Sequence, residues 1–269
     1  MRPEGAVGIV TGAGGGIGAA LTRRFVEQGA RVLMTDLDAD RLEAERAAID
    51  ADHPGAVVAV AGDCSDSATV AGLIEEAERA FGAPVDLYAA NAGVGRGDDL
   101  DATPTDWAVS IDVNLMAHVR AAELLVPGWL ERGRGFFLST ASAAGLLTQL
   151  GSATYTATKH AAVGFAEWMA VTYGDRGIGV ACLCPMGVNT AMLTGGADGD
   201  LSAVSTRAVT EAGRVLEPLD VADAVLDAMA EGRFLVLPHA EVAEYRRRKI
   251  EDTDRWIAGM QRYRTALSS

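Results

Sequence analysis

The chain reads as an α/β protein of the doubly wound kind, a parallel sheet of about seven strands with helices on both faces. Two observations carry that expectation. Short apolar runs, which suit strands buried on both faces, alternate with segments of helical spacing along all 269 residues, with no obvious linker. A glycine-rich turn joins the first of these runs to the first helical segment, the order a phosphate cradle needs.

Ala6-Val7-Gly8-Ile9-Val10 is the first strand, and Thr11-Gly12-Ala13-Gly14-Gly15-Gly16-Ile17-Gly18 follows at once. Ala19, Ala20, Leu21, Phe25 and Val26 then fall at helical spacing up to Gly29, a stop signal. In such a turn glycines let backbone N–H groups approach a pyrophosphate while the helix amino terminus supplies partial positive charge. Gly12, Gly14, Gly15, Gly16, Ile17 and Gly18 are therefore the expected cradle, spaced Gly-x-x-x-Gly-x-Gly on Gly12, Gly16 and Gly18. Arg31-Val32-Leu33-Met34-Thr35 is the second strand, with Asp36 and Leu37 at its carboxyl end. A carboxylate at Asp36 can accept from both ribose hydroxyls of an adenosine and would repel a 2′-phosphate. A like-charge pair at about 4 Å and an effective dielectric of about 20 costs roughly 4 kcal/mol before relaxation. No Arg or Lys lies between Gly12 and Gly18, although Arg41 and the Arg23-Arg24 pair are not far away in sequence, so NAD is favoured over NADP. The alternative for Asp36 is a helix cap, which Asp38 or Asp40 could supply equally well.

Val85-Asp86-Leu87-Tyr88-Ala89-Ala90 is a further strand, and others end near Ser139 and Cys184. In a doubly wound sheet, ligands bind beyond the carboxyl ends of the strands, where the segments after Asp36, Ala90, Ser139 and Cys184 should converge. Tyr155 and Lys159 stand four apart in Tyr155-Thr156-Ala157-Thr158-Lys159, and Ser142 lies upstream in Ser139-Thr140-Ala141-Ser142-Ala143-Ala144-Gly145. On a helix that spacing puts phenol and ammonium on one face, about 6 Å apart along the axis. A phenol titrating near ~10 is a poor acid-base catalyst at neutral pH until a neighbouring cation stabilises its anion. The triplet reads as a proton-transfer site; taken singly, the pair could be a solvated lysine beside a packed ring, and Ser142 a turn cap.

With these residues assembled, the chain resembles the short-chain dehydrogenase/reductase family from Val7 to about Leu237. Asp63 in Gly62-Asp63-Cys64-Ser65-Asp66, Asn91-Ala92-Gly93, Asn114 in Ile111-Asp112-Val113-Asn114-Leu115, and Pro185-Met186-Gly187-Val188-Asn189-Thr190 extend the likeness. The resemblance implies a Rossmann fold and a tetrad of Asn114, Ser142, Tyr155 and Lys159. It assigns the adenine to Asp63 and Cys64, further cofactor contacts to Asn91, Ala92, Gly93, Tyr155 and Lys159, and the nicotinamide amide to Pro185, Met186, Gly187, Val188 and Thr190. Met186 stands where the family usually has glycine and Cys184 where asparagine commonly precedes the proline; Met186 could narrow the nicotinamide end or line the substrate pocket. The implied reaction is hydride transfer between NAD and a secondary alcohol or ketone. In it Tyr155 takes the hydroxyl proton, Lys159 stabilises the tyrosinate and holds the ribose, Ser142 bonds the developing carbonyl oxygen, and Asn114 anchors a water. An NADP-dependent carbonyl reductase and a dinucleotide-binding sensor without turnover are the alternatives, the latter because fold does not dictate function. The family likeness also implies a homodimer or homotetramer.

Val94, Ser142, Leu147, Met186, Met192 and Leu193, with Leu146 and Leu150, are the expected substrate wall, while Arg96, Asp98 and Asp99 follow Asn91-Ala92-Gly93. This composition favours an uncharged, fairly hydrophobic secondary alcohol or ketone. Residues 191–214 correspond to the family's substrate lid, and Thr194-Gly195-Gly196-Ala197-Asp198-Gly199-Asp200 has the make-up of a mobile loop. Residues 240–265 read as an added helical segment with Trp256, Ile257, Met260 and Tyr263 on one stripe, which must be buried on its own subunit or on a neighbour's.

The length suits one domain over residues 1–269, burying roughly 70–75% of its unfolded surface without disulfides or structural metal. Cys182 and Cys184 share a strand face and should not bridge, and the cysteines and histidines show no zinc-like spacing, so no metal is expected. The first strand leaves no room for a signal peptide, and no apolar run approaches a membrane span, which points to the cytoplasm. A formal net charge of −14 argues against nucleic-acid binding. Arg246-Arg247-Arg248-Lys249, flanked by Glu241, Glu244, Glu251 and Asp252, reads as a solvated helix face.

Overall fold

The computed structural model describes residues 1–194 and 203–267; the glycine-rich stretch of the expected lid loop lies outside them. Seven strands pair in parallel throughout: β1 (Val7–Thr11), β2 (Arg31–Thr35), β3 (Val57–Ala59), β4 (Val85–Ala90), β5 (Gly135–Thr140), β6 (Ile178–Leu183) and β7 (Leu235–Val236). Their order is β3-β2-β1-β4-β5-β6-β7, so the winding reverses between β1 and β4. A crevice opens at that reversal, beyond the carboxyl ends of the strands.

The strands are short and apolar because both faces of the sheet are covered. One face carries α1 (Gly16–Glu27), α2 (Ala39–Asp52) and α9 (Pro218–Glu231), whose Leu21, Phe25, Leu42, Val225 and Met229 pack against Val10, Met34 and Leu138. The other carries α3 (Ser67–Phe81), α5 (Ala117–Arg132) and α6 (Ala153–Tyr173), closing over Ile9, Tyr88 and Phe137. Trp129 is fully buried, its indole N–H donating to Val85 O at 2.7 Å. Gly135 leaves that ring its space, since a Cβ there would sit 2.2 Å from it.

Two local features aim chain at the crevice. Between α4 (Pro104–Ile111) and α5 the helix widens into one π turn, Asp112–Met116, which carries Asn114 inward. Ser152 caps α6, accepting from Tyr155 N–H at 3.4 Å, so the tyrosine enters on the first turn of a long helix.

After β6, α7 (Ala191–Thr194) and α8 (Ala203–Ala212) occupy the expected lid region, and after β7 the chain adds α10 (Ala240–Glu251) and α11 (Thr253–Leu267). These last helices fold back over their own subunit. Tyr245 Oη donates to Ala212 O at 3.1 Å, Tyr263 Oη to Ala208 O at 3.0 Å and Arg207 Nη1 to Leu267 O at 2.6 Å, tying the extension to α8. The basic cluster divides in two. Arg247 and Arg248 are exposed and paired to Glu244, as a solvated face requires. Lys249 instead turns inward, donating to Leu146 O at 3.0 Å and Leu147 O at 2.7 Å, with its ammonium 5.1 Å from the Trp256 ring. The reason is local: the loop after Ser142 ends with carbonyls that lack a helix to bond, and the long lysine stem reaches them.

Cys182 and Cys184 are free, buried and 3.8 Å apart at sulfur. Among the described residues no helix is long and apolar enough to cross a membrane, and no cluster of potential metal ligands occurs.

Lys249→Ala should lower Tm by about 2–6 °C, since two carbonyls lose a charged donor, whereas Arg247→Ala should leave Tm nearly unchanged. Equal effects in a thermal melt would contradict the inward role of Lys249.

Candidate active site

The glycine turn is built around atoms that leave no room for side chains. A Cβ on Gly18 would lie 2.0 Å from Gly12 O, one on Gly16 2.9 Å from Thr190 Cγ2, and one on Gly15 2.6 Å from an Arg41 guanidinium nitrogen. Gly12 and Gly16 also take φ of +65° and +53°, a region that favours glycine. Because no side chain caps α1, its first N–H groups face the crevice unpaired by a cap. This cradle fits the pyrophosphate of a dinucleotide, by shape and by helix polarity.

Asp36 lies on the cleft wall beside the glycine turn. Its carboxylate accepts from Gly14 N–H at 2.9 Å and Asp38 N–H at 3.2 Å, while Asp38 caps α2 by accepting from Arg41 N–H at 3.0 Å. The capping alternative for Asp36 is thus taken by Asp38. Thr11 stitches the turn to the next loop, its Oγ1 accepting from Asn91 and Ala92 N–H at 2.9 Å each.

At the other end Lys159, 2% exposed, donates to Thr140 O at 2.9 Å and lies 5.6 Å from the centre of the Tyr155 ring. Burial pulls the Lys159 ammonium down to about 8. Tyr155 and Ser142 are buried too, on the wall of the same cleft, and Ser142 Oγ accepts from Ala144 N–H at 3.1 Å. Asn114, wholly buried, clamps Val94: its Oδ1 accepts from Val94 N–H and its Nδ2 donates to Val94 O, both at 2.9 Å, with Thr158 Oγ1 at 3.1 Å. Asn114 Oδ1 and Lys159 Nζ converge on Gly93, where a Cβ would meet them at 3.2 and 3.3 Å.

One cleft of about 610 Å³ joins these groups. Of the sequence-derived residues, its wall holds Gly12, Gly15, Gly16, Ile17, Asp36, Asn91, Ala92, Gly93, Ser142, Leu147, Tyr155, Lys159, Pro185, Met186, Val188, Thr190, Met192 and Leu193. Others stand off it. Gly14 spends its N–H on Asp36, Gly18 packs under Gly12, and Gly187 packs against Val209. Leu37 is 72% exposed, and Asp63 is exposed with its carboxylate accepting from Ser65 N–H. Cys64 is buried, its thiol pushed up to about 12 by that burial. Val94 has its backbone drawn back to Asn114, which itself stands behind the wall.

Sequence reasoning missed five contributors. Arg41 reaches over the glycine turn from α2, although only its nearness in sequence had been visible. Tyr245 and Glu211 join the wall from α10 and α8, while the stripe residues Trp256, Met260 and Tyr263 form its far end and Ile257 stays partly exposed. His118 lies beneath Lys159's surroundings, its Nδ1 3.0 Å from Ser139 Oγ. Burial, with the nearby Lys159 charge, takes it down to about 3, so it is neutral at working pH. His239 holds the loop after Cys184, accepting from Met186 N–H at 3.1 Å.

A seven-stranded parallel sheet, a glycine cradle and a buried Tyr-Lys pair at one crevice define a nucleotide-binding oxidoreductase. Comparison with known proteins sharpens this: the short chain dehydrogenase profile matches residues 6–199, and the chain belongs to the short-chain dehydrogenase/reductase family, whose members act on hydroxy and keto substrates. It is 34% identical to a 1-deoxy-11-beta-hydroxypentalenate dehydrogenase of Streptomyces avermitilis, over 100% of this chain and 97% of that one, and 33% identical to the protein of the same name in Streptomyces exfoliatus, over 96% and 92%. Among solved structures, a short chain dehydrogenase/reductase from Burkholderia phymatum in complex with NAD superposes with a TM-score of 0.84 at 29% identity, covering 94% of this chain and 96% of that one.

The lowered Lys159 value has a testable sign. Folded Lys159 loses its proton near 8 and the unfolded side chain near ~10.4, so between those limits the native state binds fewer protons and stability rises with pH. The wild type should therefore gain in Tm on Lys159→Met as pH rises from about 8 to about 10. A constant difference in melting across that range would contradict a buried, desolvated ammonium.

Proposed function

We propose that this chain is a cytoplasmic NAD-dependent dehydrogenase/ketoreductase for an uncharged, apolar secondary alcohol or its ketone, working as a single unit in which 191–214 acts as lid and 240–265 as the far wall. The observation that carries the reading is the buried Lys159 ammonium, fixed on Thr140 O and set beside the Tyr155 ring on the wall of the same cleft as the glycine cradle.

A bound nicotinamide dinucleotide supplies the hydride acceptor or donor. Tyr155 takes the hydroxyl proton as the substrate carbonyl forms and returns it in the reverse direction. Lys159 stabilises the resulting phenolate, an effect that grows as water is excluded. Ser142 Oγ donates to the developing carbonyl oxygen, which acid-base and oxyanion assistance together make worth several orders of magnitude in rate. Asn114 fixes the loop at Val94 and anchors a water that links Lys159 to solvent.

Cofactor preference follows from charge. Asp36 accepts the ribose hydroxyls and opposes a 2′-phosphate. Arg41, whose guanidinium lies over Gly15, supports a second reading in which NADP is also accepted, because it offsets part of that repulsion.

Substrate polarity follows from the wall as well. Its basic side chains are Lys159 and, at the adenosine end, Arg41, while Glu211 adds negative charge at the substrate end, and residues 195–202 contain no Lys or Arg. A carboxylated substrate, such as the name of the Streptomyces relatives implies for those proteins, would lack a cationic partner here. Leu147, Leu150, Met192 and Trp256 suit a bulky uncharged alcohol instead. The small-molecule chemistry needs neither nucleic acid nor membrane. Ile111, Leu124, Trp168 and Val171, exposed on α4, α5 and α6, support a homodimer or homotetramer, and the three unpaired thiols a reducing compartment.

Tyr155→Phe should lower turnover by at least about 10²-fold while leaving NADH binding nearly intact, measured by NADH absorbance and by fluorescence titration. Retained turnover would remove Tyr155 from the mechanism. Asp36→Ala should shrink the preference for NAD over NADP by about tenfold or more, read from kcat/KM for each cofactor. Unchanged discrimination would contradict the ribose role.

A further inference from the structure

The loop that leaves β6, Pro185 to Thr190, is fixed from two sides. On one, Pro185 O accepts from Ala143 N–H at 2.8 Å, beside Ser142. On the other stands His239, 2% exposed, between β7 and α10. Its Nδ1 accepts from Met186 N–H at 3.1 Å and its Nε2 lies 3.0 Å from Gly187 O. An amide N–H can only donate, so Nδ1 is the bare nitrogen, and Nε2 carries the proton and donates to the carbonyl.

The two bonds are not equivalent. Gly187 O has a second donor, Leu216 N–H at 2.9 Å, and would stay satisfied without the ring. Among the described residues His239 is the acceptor that Met186 N–H has, so losing it would leave a half-buried donor unpaired. Met186 is also the position where this chain departs from the glycine its family usually has. Its side chain lies on the cleft wall, in space that Gly213 keeps open, since a Cβ there would sit 2.4 Å from Met186 Cε. A longer side chain at this point needs its backbone held, or the thioether would drag the loop along the cleft.

We propose that His239 is a positioning residue for hydride transfer: by holding Met186 N–H it fixes the Pro185 to Thr190 loop, and with it the surface that loop presents to the nicotinamide. The proposal rests on the reading above that this loop holds the nicotinamide amide. It assigns His239 no contact with substrate and no proton to transfer.

Three variants test it. His239→Ala should raise KM for NAD and lower kcat by about tenfold each, with a larger primary deuterium isotope effect from a carbinol-deuterated alcohol and an alcohol KM changed less than about twofold. His239→Asn, whose Oδ1 can take the place of Nδ1, should recover both constants to within about threefold, whereas His239→Gln, which offers its amide further out, should not. In the wild type, ¹⁵N resonances should show Nδ1 bare and Nε2 protonated, and should shift when NAD is added. Wild-type NAD kinetics and isotope effect in His239→Ala would overturn the proposal, as would a protonated Nδ1 in the free enzyme or equal losses in the Asn and Gln variants. If His239→Ala does not fold, the Asn and Gln pair decides. Tyr155→Phe assayed alongside separates the two levels: an active Tyr155→Phe sinks the underlying reading, while an inactive one with a wild-type-like His239→Ala sinks only the role of His239.

Discussion

Keeping an ammonium group out of water, within reach of a phenol, is the constraint around which this molecule is arranged. Lys159 is almost wholly buried, and burial alone would favour its neutral form. The ammonium donates to Thr140 O, which lies at the carboxyl end of β5 and so is placed by the central sheet. Tyr155 comes with Lys159 on one helix face, and the helix is started by Ser152. Strand end, helix start and cleft wall thus meet at one atom, the lysine nitrogen. The neutral His118 nearby adds no competing charge.

Around that centre the structure holds backbone groups in fixed directions. The cradle is made of N–H groups kept open by glycine, Asn114 holds the Val94 backbone by both atoms of its side-chain amide, and the loop after β6 is fixed by Ala143 and Leu216 N–H groups and by His239. Such groups are pre-oriented by the sheet and cost little reorganisation when a ligand arrives. The substrate end is different in kind. It is walled by Leu147, Met192, Trp256 and Met260, drawn from the loop after Ser142, α7 and the added helix α11, and Lys249 couples two of these by bonding the loop carbonyls and meeting Trp256. In the proposed reaction, chemistry belongs to groups placed by the sheet and selectivity to the parts appended to it.

What could be read from the sequence follows from the same division. The glycine turn, Asp36, and the Tyr155 and Lys159 pair were legible because each depends on spacing within one strand, turn or helix. Arg41 was not, because its reach over Gly15 depends on how α2 lies against the cradle, and an isolated arginine after an Asp cap carries no pattern. His239 and Lys249 escaped for a related reason: a single histidine after a strand, or one lysine in a run of basic residues, reveals nothing about the carbonyl or amide it will meet far along the chain. The basic run even misled, since Arg247 and Arg248 are solvated as expected while their neighbour is not. Asp63 stands off the wall because its turn closes on Ser65 N–H, Cys64 because it is buried, and Val94 because Asn114 on the π turn draws its backbone back, details that motif spacing does not encode.

The most direct measurement is a single-turnover experiment on Lys159→Met with NAD saturating and an apolar secondary alcohol as substrate, following NADH absorbance. The hydride-transfer rate should fall at least about 10²-fold below the wild type, because the phenolate loses its cation. A wild-type rate in that variant would contradict it.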